Sequence, residues 1–160
     1  MESFSSSGLS IGSGRLSVED VVRVARNRAH VAELTPEAEA RMEPAANWVA
    51  RTVEQIAGTP KAYYGINTGF GAQAGRSALN SRYLTEVLGR NLMASHSVGV
   101  GPYFEEAVVR AVLLIRAHSL AQGVSGVRPL VPAKLIAMLN GRVYPAIPEM
   151  GSLGSEVRRE

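Results

Sequence analysis

The stretch FEEAVVRAVLLIRAHSLAQ, residues 104–122, decides the fold. Its apolar residues fall on most sides of a helical wheel, so a helix here must pack against several neighbours rather than lie on a surface. Gly123 ends it, as a glycine just past the last turn commonly does. The apolar run at residues 111–115 is far short of the ~20 residues needed to cross about 30 Å of hydrocarbon. A chain of 160 residues hides roughly two thirds of its unfolded surface, so a mostly α domain built around this helix can fold without disulfides.

Working outward from that helix, a loop at 124–129 leads to a helix that Pro132 opens and Asn140-Gly141 ends, followed by an extended, proline-flanked run at 143–148. Before it, a helix starting at Asn80 or Ser81 carries Leu84, Val87, Leu88, Asn91, Leu92 and Ser95, with His96 at its end and a glycine-rich exit at 99–102. Thr35-Pro36-Glu37 opens another helix that runs toward Ile56, and Pro44 inside it predicts a kink or restart near Glu43. Ser17 with Asp20 three residues on forms a capping box for a first helix predicted to reach about Ala32. Leu9-Ser10-Ile11 and Arg15-Leu16, around Gly12-Ser13-Gly14, read as a short N-terminal β-hairpin. The serine-rich residues 1–8 have neither the charged start nor the apolar core of a signal peptide and are set aside as a disordered tail. The domain is then expected over 9–154, with a divergent charged tail at 155–160.

Composition excludes several classes. The chain has no cysteine, which rules out thiol nucleophiles and cysteine-based metal sites and fits a reducing, cytoplasmic setting. The net charge is +3, but the arginines are scattered among acids and aromatics are only 6% of residues, so the basic stripe with stacking rings that nucleic acid requires is missing. His30, His96 and His118 have no metal-ligand spacing, and no metal is expected.

Residues 59–79 form a long glycine-rich segment, a length of loop that in a compact domain usually serves function. Within it, residues 63–75 read YYGINTGFGAQAG. No Gly-Lys-Ser/Thr follows the first glycine, and Gly69, Gly71 and Gly75 are spaced one residue too far for a dinucleotide fingerprint, so phosphate cradles are excluded. What remains is a loop whose glycines allow backbone shapes closed to other residues. It either buries its tyrosines as anchors or presents one as a base; a phenol of pKa about 10 needs surroundings that stabilise phenolate for the second role. Ser95-His96 is no nucleophile–base pair on this reading, since neighbours at a helix end point apart and neither a G-x-S-x-G elbow nor an acid partner is evident.

Four stretches taken together, YGINTGFG (64–71), NLMASHSVGVG (91–101), SLAQGVSGVRP (119–129) and VYPAIPEMGSLG (143–154), resemble the aromatic amino acid ammonia-lyases and aminomutases, closest to the histidine ammonia-lyases. The likeness runs in order from Leu9 to Gly154 and corresponds to the N-terminal part of that family's helical subunit. It implies a carbon–nitrogen lyase that removes an α-amino group and a β-proton from an aromatic amino acid. It also implies an electrophilic methylidene-imidazolone (MIO) group, made from an Ala-Ser-Gly tripeptide, and a tyrosine base. By resemblance Tyr64 is that base, held on a loop that includes Gly65, Asn67, Thr68, Gly69, Phe70 and Gly71, while His96 and Ser95 line the substrate pocket. The GINTGFG wording leans toward histidine as substrate; GSLG is shared with lyases and mutases acting on phenylalanine or tyrosine.

After Gly154 the family pattern continues Ala-Ser-Gly, whereas this chain reads Ser155-Glu156-Val157. Glutamate replaces the cyclising serine and a branched valine the attacking glycine, so no prosthetic group is expected to form from this chain. The expectation is a truncated lyase, inactive alone and prone to oligomerise or aggregate through apolar faces around residues 108–115. The alternative is a noncatalytic chain that assembles with full-length subunits, because the family's active sites are shared within a tetramer.

Overall fold

The computed structural model describes residues 8–12, 14–56, 61–70 and 81–151, the Arg82 side chain excepted. Residues 1–7 of the tail expected at 1–8, residues 59–60 and 71–79 of the glycine-rich segment, Gly71 among them, and the divergent tail at 155–160 lie outside the described residues. The elements run β1 (Leu9–Ile11), α1 (Val18–Ala25), β2 (Val31–Leu34), α2 (Pro36–Gln55), α3 (Arg82–His96), β3 (Gly99–Tyr103), α4 (Glu106–Leu120), α5 (Leu130–Asn140) and β4 (Pro148–Gly151). The protein is mostly helical, as its periodicity predicts. Two compact units divide it, one drawn from residues 1–47 and 103–147, the other from 48–102 and 148–160.

In the first unit α4 supplies the centre. Leu113, Leu114 and Ala117 are buried against Ile11, Val24, Met42 and Ile136, and removing one leucine side chain from water stabilises by about 1.5–3 kcal/mol. The opposite face stays open, with Val108, Val112 and Ile115 exposed by 40, 44 and 50%. An apolar face is therefore exposed where one was expected, and α4 is not buried all round.

The expected hairpin is corrected. β1 is present, but Arg15-Leu16 forms no strand, and β1 pairs in parallel with β2, Leu9 opposite Val31 and Ile11 opposite Leu34. A parallel pair needs a crossover rather than a tight turn, and α1 provides it. Ser17 caps α1 through a complete capping box, its hydroxyl accepting from the Asp20 amide at 3.1 Å while the Asp20 carboxylate accepts from the Ser17 amide at 3.1 Å. The helix stops at Ala25, not Ala32, because Arg28 takes φ +53°, outside the helical region. α2 continues through Pro44 without a restart; the proline forfeits one bond to the Ala40 carbonyl, and the helix goes on around it. α4 and α5 lie within two residues of their predicted spans.

Polar side chains join elements far apart in sequence. Asn140, at the end of α5, donates to the Val31 carbonyl (2.7 Å) and accepts from the Val31 amide (3.1 Å), so its amide serves as a further strand beside β2. Arg41 donates to the carbonyls of Gly12 and Ala121 at 2.8 and 2.9 Å, the latter at the C-terminal end of α4. Arg110, 3% exposed, donates through Nε and Nη2 to the Val24 carbonyl at 3.0 and 2.7 Å, and through Nη1 to the Tyr144 hydroxyl. A cation at the C-terminal end of a helix is favoured by the helix dipole, and both arginines sit so.

Candidate functional site

The second unit holds all the described candidate site residues, Tyr64 to Phe70 with Ser95 and His96. The segment 61–70 is organised around Asn67, which is fully buried. Its Oδ1 accepts from the Tyr63 amide at 2.7 Å and its Nδ2 donates to the Lys61 carbonyl at 3.0 Å, while the Ile66 and Asn67 amides both donate to the Tyr63 carbonyl. Thr68, also buried, accepts from the Gly65 amide at 3.2 Å and donates to the Gly69 carbonyl at 3.0 Å. A polar side chain that closes bonds to its own loop gives the backbone an alternative to helix or sheet. Gly65 is required: its φ is +75°, and a Cβ there would stand 3.1 Å from the Phe70 ring.

This turn sorts the two tyrosines. Tyr63 is half-buried, edge-on to Trp48 with centroids 6.0 Å apart, and the Lys61 ammonium lies 5.0 Å from its ring centre. Tyr64 is 64% exposed and meets Phe70 edge-on at 5.5 Å. Phe70 in turn meets the His96 ring at 6.3 Å. The loop and the end of α3 thus set Tyr64, Phe70 and His96 in a row.

His96 Nδ1 lies 3.1 Å from the Leu92 carbonyl and 2.9 Å from Ser95 Oγ. A carbonyl only accepts, so the first contact requires the proton on Nδ1 and in the neutral ring leaves the lone pair on Nε2. The expectation that Ser95 and His96 point apart is therefore corrected: both turn back to the Leu92 carbonyl, Ser95 Oγ at 3.2 Å, and so come together. The pair is still no hydrolytic dyad, because the imidazole is held by a carbonyl where a triad has a carboxylate. Composition and motif spacing did not reveal Lys61, Trp48 or Leu92 as supports; the i to i+4 spacing of Leu92 and His96 on a helix was the available signal for the last.

Among the described residues no group of three histidines or acids is placed to hold a metal ion, and no helix is long and apolar enough to cross a membrane. β3 and β4 pair with each other; a Cβ at Gly99 would meet Pro148 at 2.7 Å, so that crossing is reserved for glycine.

Residues 16–156 match the family described as aromatic amino acid lyase. The histidine ammonia-lyase of Alkaliphilus metalliredigens is 45% identical over 147 residues, covering 92% of this chain and 28% of that protein. A crystal structure of a tyrosine aminomutase from Streptomyces globisporus superposes with a TM-score of 0.81 at 36% identity, covering 92% of this chain and 27% of that one. The histidine ammonia-lyase of Trypanosoma cruzi does so with a TM-score of 0.76 at 28% identity over 91% of this chain and 27% of its own. The chain thus spans little more than a quarter of the length of the relatives it matches, and along that length it belongs to the aromatic amino acid lyase family.

Proposed function

We propose that this chain builds the N-terminal share of an active site that eliminates ammonia from an aromatic amino acid, histidine foremost, giving urocanate. The row Tyr64–Phe70–His96, carried on a loop locked by a buried asparagine, is the observation that supports the reading. Tyr64 acts as the base toward the β-proton; Phe70 packs beside it; His96 Nε2 accepts a hydrogen bond from a donor on the substrate ring, such as an imidazole N–H. Ser95 supports the imidazole through Nδ1. Phenylalanine or tyrosine as substrate, and a 2,3-amino shift in place of elimination, are readings of the same row of side chains.

The family's MIO group, when present, supplies the electrophile that makes the amine a leaving group. The residues at 155–157 do not fit it: Ser-Glu-Val has no serine at the cyclising position and no glycine to attack. The 160-residue chain alone is inactive on this reading. Purified chain that showed the near-ultraviolet band of MIO, or formed urocanate from histidine, would overturn that. The roles of the side chains are tested in a chimera in which residues 9–154 replace the matching part of a histidine ammonia-lyase. There Tyr64→Phe lowers kcat by about 10²–10⁴-fold, the usual worth of a positioned base, and a chimera unaffected by the change would sink the assignment.

A second reading is favoured by the open face of α4 at Val108, Val112 and Ile115: the chain acts without catalysis, assembling with full-length lyase subunits or with itself in the cytoplasm. Co-expression with an intact relative tests it. Co-purification supports the reading, and a chain that stays alone and monomeric in both settings counts against it.

A further inference from the structure

Three arginines and a histidine meet at one cavity of the first unit, made of residues other than those of the Tyr64 row. The cavity holds about 190 Å³, and Arg28, His30, Arg110, Asn140 and Arg142 line it. Arg110 is almost fully buried, and a buried cation is costly unless a counter-charge accompanies it. Among the described residues no carboxylate pairs with it; its acceptors are the neutral Val24 carbonyl and Tyr144 hydroxyl. These use three of the five N–H groups a guanidinium carries, leaving two donors without an acceptor among the described residues. Among the described residues the only carboxylate joined to the cluster is that of Glu106, 3.0 Å from Arg28.

The backbone is held in an unusual shape at the same place. Arg28 and Arg142, at φ +53° and +55°, are the two non-glycine residues with positive φ among those described. That region costs a non-glycine residue about 1–2 kcal/mol, and each has a better-suited neighbour in Asn27 or Gly141 that does not take it. Strain of this kind persists where the surrounding structure requires it, and here both strained residues bring arginine to one cavity.

We propose that this cavity is a binding site for a phosphate group, free or as a small phosphomonoester. Arg110 offers its two unused N–H donors from the floor, Arg28 and Arg142 close over the anion from the exposed rim, and His30 adds an N–H. A water claims about 30 Å³ of liquid, so the five heavy atoms of phosphate fit the space. A tetrahedral dianion suits the site better than a carboxylate, because its oxygens reach donors from several directions while a planar carboxylate engages one fork.

The test uses the intact chain, inorganic phosphate and glycerol phosphate, with chloride at matched ionic strength as the control. Phosphorus NMR line broadening and thermal unfolding are read together. Binding of either phosphate is expected, with a melting point raised by about 5 °C near saturation and no such rise in chloride; which compound binds more tightly tells free ion from ester. Arg142→Gly relieves the positive φ, so the unliganded variant melts no lower than the parent, yet its dissociation constant for phosphate rises at least tenfold. No broadening with either phosphate, an equal rise in chloride, or unchanged binding by Arg142→Gly would each overturn the proposal.

Discussion

The loop at 61–70 and the core around α4 are both held by hydrogen-bonding polar side chains, but over different distances along the chain. Asn67 closes its bonds four and six residues away. Arg41, Arg110 and Asn140 close theirs across 80, 86 and 109 residues. A locally closed turn can take its shape while the rest of the chain is still settling, since few residues must be ordered to form it. A long-range staple exists only in the finished fold, and each one reports on the whole unit. Tyr64 and Phe70 thus sit on a locally closed turn, while the helices of the first unit, which carry none of the residues proposed for chemistry, are the ones bound to each other.

Mutations separate the two regimes, and the largest effect belongs to the staples. Arg110→Met leaves the Val24 carbonyl and the Tyr144 hydroxyl without their donor, and an unsatisfied buried group costs about 1–3 kcal/mol. We expect about 3 kcal/mol of lost stability in urea denaturation, felt throughout the first unit; a loss under 1 kcal/mol would show that the staple is dispensable. Asn67→Ala is the local counterpart. It frees the Tyr63 amide and the Lys61 carbonyl at a comparable cost of about 2 kcal/mol, but the damage stays in the loop: hydrogen exchange at Tyr63 accelerates while amides of α4 keep their protection. Acceleration spread equally over α4 would erase the distinction between the two regions.

Smaller changes sharpen the same contrast. Gly65→Ala forces a side chain into positive φ and toward the Phe70 ring, at about 1–2 kcal/mol, and is expected to separate the Tyr64 and Phe70 rings, seen as loss of ring-current shifts between them. The capping box is the local device of the first unit, and Ser17→Ala there costs about 1 kcal/mol. Hydrogen bonds from Ser17, its side chain first and then its backbone, hold the Asp20 carboxyl below its usual 3.8. A carboxyl depressed in the folded state stabilises above its unfolded pKa and loses that contribution as pH falls through the folded one. Asp20→Asn is therefore less stable than the parent at neutral pH and equal to it once the pH drops below the lowered pKa. A gap unchanged at low pH would refute that charge dependence.

Much of this was legible in the residues. The capping box at Ser17, the Thr35-Pro36 start of α2 and the start of α3 at Asn80 or Ser81, where the Ser81 hydroxyl accepts from the Leu84 amide, act within one turn of chain, so the sequence announces them. The motif wording also led to the family, and it set Tyr64, Phe70 and His96 apart before any distance was known. The hairpin misreading has the opposite origin. Nothing near Leu9–Ile11 states that its partner is Val31–Leu34, because that choice is made by burying Ile11 and Leu34 together in a core that α4 completes. The contact of Ser95 with His96 escaped for a related reason, being a matter of rotamers that the Leu92 carbonyl selects.

By itself, the sequence determined the helices, the caps, the absence of cysteine chemistry, the family, and the Ser-Glu-Val that stands where Ala-Ser-Gly is expected. Tertiary structure alone decided that β1 runs parallel to β2, that Tyr63 is anchored while Tyr64 is presented, and that Arg28, Arg110 and Arg142 converge on one cavity. The division follows from range: propensities and caps act over a few residues and are written locally, whereas pairing, burial and the gathering of like charges depend on which distant segments the core brings together.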